Sequence, residues 1–106
     1  MGVTFTELAH CKEKILRVHY LMKQEDEALH TFNQTHDYDD GLRWNLATEN
    51  RKRASARAFK SLASVAALLG LPEDDIIVEN IKRGSFLDIT FKRLCEIAKE
   101  MVSNIE

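Results

Sequence analysis

Leu71-Pro72-Glu73-Asp74-Asp75-Ile76-Ile77-Val78-Glu79-Asn80-Ile81-Lys82-Arg83-Gly84-Ser85-Phe86-Leu87-Asp88-Ile89-Thr90-Phe91 supports two incompatible local structures. Pro72 at a first turn, three carboxylates behind it, Lys82 and Arg83 near the far end and Gly84 as a stop are all signals of a short helix. Ile76-Ile77-Val78 is instead a β-branched cluster, and Leu87 to Phe91 alternates apolar with polar at period two. With Lys82-Arg83-Gly84 between the two runs and the glycine in a left-handed loop position, the pattern predicts a β-hairpin, a short helix being the alternative. An isolated two-stranded ribbon is marginal in water, so this one has to pack on helices or pair with its copy in a second protomer.

Upstream of this stretch the pattern is helical. One proline and four glycines leave few breakers, which predicts long uninterrupted elements. Thr4-Phe5-Thr6-Glu7 has the form of a capping box, so a helix is expected to start there. Leu8, Cys11, Ile15, Val18, Met22, Glu25, Leu29 and Phe32 then recur in steps of three and four, the signature of one buried stripe. The pattern stops in Thr35-His36-Asp37-Tyr38-Asp39-Asp40-Gly41, a predicted loop. From Leu42 to Leu69 the chain is rich in alanine and free of glycine and proline, which predicts a second long helix ending at Gly70. Its inner arc is Ala47, Ala54, Ala58, Phe59, Leu62, Val65, Ala66 and Leu69. A short loop makes the two helices antiparallel neighbours and sets Glu25 level with Arg51 and Arg53, so a carboxylate on the core stripe reads as half of an ion pair. Lys92 to Ile105 forms a last helix, with Leu94, Ile97, Ala98, Met101 and Ile105 inward.

The expected fold is therefore one mainly helical α+β domain over residues 1–106: a long antiparallel helical hairpin, a small β-hairpin and a C-terminal helix, with an all-α four-helix arrangement as the alternative. Helices of this length outrun a compact globule of 106 residues, so part of their apolar stripes should be covered by a second copy.

Composition narrows the function classes. Fifteen Lys and Arg against seventeen Asp and Glu give a net charge of -2, so any affinity for a polyanion has to be local. Two cysteines, Cys11 and Cys95, are too few for a disulfide scaffold and show no zinc spacing. The first residues lack the basic start and apolar run of a signal peptide, and no stretch has the ~18 apolar residues of a membrane helix. A cytoplasmic protein without membrane contact is expected.

Catalytic and metal patterns are weak. Glu7 with His10 and Glu27 with His30 have the Glu-x-x-His spacing of di-metal bundles, but roughly 30 Å of helix separates them. Asp37, Asp39 and Asp40 with Gly41 resemble a calcium loop only until the glycine is aligned, when His36, Tyr38 and Ala47 fall on ligand positions. Both cysteines sit on or beside apolar stripes, and all four histidines precede residue 37 without forming an acid–base set. Leu62 to Ile81 has a faint helix-turn-helix spacing, yet its second segment starts with carboxylates that would face DNA phosphates. Neither an enzyme, nor a metal, nor a cofactor is expected.

Charge distribution is the informative feature. Residues 1–41 carry four basic and eight acidic side chains, residues 42–70 six and one, and residues 71–106 five and eight. Within the basic segment Arg43, Asn50, Arg53, Arg57 and Lys60 share one helical face, with Arg51 and Lys52 to one side. Such a stripe either pairs with the acidic first helix and otherwise sits in water, or contacts phosphate. The leading expectation is a small cytoplasmic protein–protein interaction module of bacterial or phage type, an adaptor, inhibitor or accessory subunit acting as a homodimer. A nucleic-acid-binding accessory factor using the basic face of the second helix is the alternative.

Overall fold

The computed structural model describes the backbone of residues 2–105 and the side chains of residues 5–101. Four helices follow one another: α1 (Gly2–Thr35), α2 (Tyr38–Leu68), α3 (Ile76–Arg83) and α4 (Leu87–Ile105). Among the described residues there is no strand, so the expected α+β class with its β-hairpin is overturned and the four-helix alternative holds.

The reason lies at the ends of the disputed segment. Asp75 caps α3, its Oδ1 accepting from the Ile77 N–H at 2.8 Å. At the other end Gly84 takes φ 68°, with the Gly84 N–H donating to the Ile81 carbonyl and the Ser85 N–H to the Asn80 carbonyl, both pairs of a Schellman cap. The glycine does adopt the left-handed conformation that a hairpin loop would need, but it closes a helix. Between the caps Ile77 and Ile81, one turn apart, are both buried, each contributing about 2 kcal/mol of apolar transfer.

Downstream, the period-two run is also consistent with a helix at its outer members. Leu87 and Phe91 are one turn apart and pack on the core, followed by buried Leu94 and Ala98. The middle of the run separates the two structures, because a strand turns Ile89 inward and Thr90 outward. Here Ile89 is 67% exposed and Thr90 is 2% exposed. The helix begins five residues before the predicted Lys92, with the Thr90 N–H donating to the carbonyl of Phe86. Phe86 holds φ 57°, an uncommon and costly conformation for an aromatic residue.

Other boundaries move as well. The predicted seven-residue loop contracts to His36 and Asp37. His36, at φ 52°, ends α1 by donating its N–H to the Phe32 carbonyl, and Asp37 caps α2 by accepting from the Asp39 N–H. Gly41 therefore lies inside α2, where its missing Cβ serves close approach: a Cβ there would meet the Phe32 ring at 3.1 Å. α1 starts at Gly2, ahead of the predicted Thr4. The Thr4 half of the capping box and inward Ile105 lie outside the described side chains.

The core occupies one end of the molecule. Leu8, Cys11, Ile15 and Val18 of α1 meet Ala54, Ala58, Leu62, Val65, Ala66 and Leu69 from α2 and its cap, and α3 and α4 close over them. Between Val18 and Ala54 no described residue is buried. That half of the hairpin is a two-helix stalk, where Met22 is exposed and Leu21 turns inward instead. The extents of 60 × 25 × 16 Å and radius of gyration of 17.1 Å record the elongation, against about 13 Å for a compact chain of this length.

Thr90 provides a direct check on α4, because its buried Oγ1 has no hydrogen-bond partner among the described residues. Thr90→Val should raise stability by about 1 kcal/mol, while Ile89→Gln should change it by less than about 0.5 kcal/mol. Urea unfolding of the two variants measures both, and a β-hairpin would reverse the pattern.

Candidate functional site

The stalk is held in register by two contacts between its helices. Arg51 Nε donates to Glu25 Oε1 at 3.1 Å and Nη2 to Oε2 at 3.2 Å, a bidentate pair. Nearer the turn, the rings of Phe32 and Trp44 stack with centroids 5.9 Å apart. The expected partner of Glu25 is thus Arg51, while Arg53 points elsewhere.

With that register set, the helices flank a groove along one side of the hairpin. Its first stretch is a cleft of about 400 Å³, lined by Lys14, Arg17 and Leu21 of α1 and by Asn50, Arg53, Ala54 and Arg57 of α2. A second stretch of about 490 Å³ shares Leu21 and Asn50 with it and runs toward the turn past Tyr20, Glu27, Asp40, Arg43 and Leu46. Steps of three and four along each helix place these side chains on facing flanks.

Of the five residues expected on the basic face, all are exposed on α2, and the structure brings three together. Asn50, Arg53 and Arg57 line the cleft; Arg43 lies in the second stretch, 3.7 Å from Asp40; Lys60 lines neither stretch. The sequence reading missed Lys14 and Arg17. All four cations of residues 1–41 precede residue 24, and six of the eight carboxylates follow it, so a sum over the whole segment concealed a basic half and an acidic half.

The electrostatics of the cleft are one-sided. Four cationic side chains and no carboxylate line it. Among the described residues none of the four forms an ion pair, although Arg17 lies over the Tyr20 ring at 5.4 Å. Among the described residues no member of the stripe pairs with α1: Arg51, to one side of it, pairs with Glu25, and Arg43 pairs with Asp40 of α2 itself. Like charges around a recess repel and focus a positive potential there, which an anion entering the cleft relieves.

Several of the remaining chemical candidates make contacts within the fold. The Sγ of Cys11 and the Oγ of Ser61 share a hydrogen bond at 2.9 Å in the core, and burial pushes the Cys11 and Cys95 thiols up, away from the reactive thiolate. His19 Nε2 and Asp88 Oδ1 lie 2.8 Å apart and tie α1 to α4, while the Nε2 atoms of His30 and Gln34 are neighbours at 3.2 Å on α1. Asp37 caps α2, and Asp40 in the first turn of that helix accepts from the Thr35 hydroxyl at 2.6 Å. Among the described residues no group of three or more His, Cys, Asp or Glu is placed to hold a metal ion.

No family model matches the chain, and no curated protein or solved structure shows significant similarity to it.

The Glu25–Arg51 pair makes a pH prediction. Hydrogen bonding from Arg51, with Thr48 as a further donor, holds the Glu25 carboxyl below its ordinary value of 4.5. A lowered folded value means that the pair's stabilisation is complete above 4.5 and is lost as pH falls through the folded value. Glu25→Gln should therefore be less stable than the parent at neutral pH. That gap should close on acidification below the ordinary carboxylate range, as followed by thermal melts across pH.

Proposed function

We propose that the protein is a small cytoplasmic interaction module, an adaptor, inhibitor or accessory subunit, that works by surface binding as a homodimer. The observation that carries this reading is on the stalk. Tyr38, Leu42 and Leu46, at steps of four on α2, are 78%, 48% and 63% exposed. Three large apolar side chains in a row along one helix face are a docking stripe, and α3 and α4 pack at the other end and leave it uncovered. A second hairpin laid against this face would complete a four-helix stalk, the usual way in which a two-helix pair gains a core. Among the described residues no helix is long and apolar enough to cross a membrane, and the two cysteines are free, which suits a reducing compartment.

A second reading, a nucleic-acid-binding accessory factor, is supported by a separate observation. The basic face of α2 is joined by Lys14 and Arg17 of α1 instead of being neutralised by that helix.

Light scattering on a gel-filtered sample at micromolar concentration should give twice the 12.2 kDa chain mass. Leu42→Gln with Leu46→Gln should give the single-chain mass with helicity retained. A parent protein that elutes at the single-chain mass removes the homodimer from the proposal, and a double variant that stays dimeric moves the interface off this stripe.

A further inference from the structure

We infer that the cleft between Lys14 and Arg17 on α1 and Arg53 and Arg57 on α2 binds a single strand of nucleic acid through its backbone phosphates, without reading base sequence. The inference rests on the second reading above and adds the site, the strandedness and the number of contacts.

Charge complementarity selects the ligand. Four cations from two helices converge on one recess that no carboxylate lines, in a molecule whose net charge is -2. Attraction for a polyanion has to be local in such a chain, this cleft gathers four cations without a carboxylate, and each phosphate neutralised there releases counterions. The shape selects one strand over two. A single strand is narrow and flexible enough to lay its phosphates inside a concave cleft of about 400 Å³, whereas a stiff duplex can offer phosphates only to the rim. Tyr20, 54% exposed, stands in the adjoining stretch with Arg17 over one face of its ring, leaving a stacking surface beside the phosphate track. With Lys14, Arg17, Arg53 and Arg57 engaged by phosphates, Asn50 is the one polar side chain lining the cleft that is left to meet a base edge.

The test is a fluorescence-anisotropy titration of the full chain against three probes: a labelled oligothymidylate, a mixed-sequence duplex of equal length and a polyglutamate peptide. It is run from about 50 to 200 mM salt. The strand should bind more tightly than the duplex, with a slope of log affinity against log salt near -2.8, about -0.7 for each of four contacts. Lys14→Ala with Arg17→Ala, and separately Arg53→Ala with Arg57→Ala, should each reduce that slope by about half. Tyr20→Ala should weaken binding roughly tenfold, and Lys60→Ala, outside the cleft, should leave the slope unchanged. The four cationic side chains make no ion pair among the described residues, so the variants should keep the parent circular dichroism.

Failure at each level is distinct. No binding to strand or duplex at the lowest salt overturns the nucleic-acid reading and the cleft assignment together. Binding whose slope survives both double substitutions overturns the cleft alone. Preference for duplex overturns the strandedness. Polyglutamate binding equal to the strand with the same salt slope overturns the ligand class in favour of an acidic protein.

Discussion

The antiparallel register of α1 against α2 is the constraint from which the rest of the structure follows. It is set at three levels by different chemistry: alanine-lined packing and the Cys11–Ser61 contact in the core, the bidentate Glu25–Arg51 pair at mid-length, and Phe32 stacked on Trp44 near the turn. Small residues allow the approach, Ala54 and Ala58 in the core and Gly41 beneath the Phe32 ring. A slip by one turn would separate Glu25 from Arg51 and leave two partly buried charges unpaired.

That alignment divides the molecule into a covered end and a stalk. At one end α3 and α4 cover the pair and make a core; at the other the helices run on without cover, and the basic cleft lies at the junction of the two. Lys14 and Arg17 face Arg53 and Arg57 because the register places the basic half of α1 beside the basic part of α2. The acidic half, from Glu25 to Asp40, is carried away toward the turn. Separation along the long axis keeps the carboxylates from neutralising the cleft, even though the chain as a whole is slightly acidic.

Much of the fold was legible from periodicity. The stripe Leu8–Cys11–Ile15–Val18 and the arc Ala54–Ala58–Leu62–Val65–Ala66–Leu69 are buried as spacing predicts, and Glu25 pairs across the hairpin. The segment 76–91 was misjudged for a physical reason. β-branched content and a five-residue alternation are weak signals, and Leu87 and Phe91 fall on one face at both periods. Asp75 before the run and Gly84 after it were the better signals, because caps satisfy backbone groups that a strand would leave to a partner it lacks. The candidate site was half legible. Asn50, Arg53 and Arg57 stood out on one helix face, but Lys14 and Arg17 emerge only when two distant helices are set side by side. Summing charge over whole segments hid them, and a sum over single turns would have shown that α1 changes sign near residue 24.

The opposition of cations from two helices across one cleft is what makes the recess positive. It is tested most directly by a double-mutant cycle on thermal stability between Arg17 and Arg53 at low salt. Arg17→Glu and Arg53→Glu should each raise the melting temperature by converting repulsion into attraction. The double variant should fall well short of the sum, because two carboxylates then repel, and the coupling should fade in concentrated salt. Strictly additive effects, unchanged by salt, would mean that the two guanidinium groups do not sense one another, and the account of the cleft would be wrong.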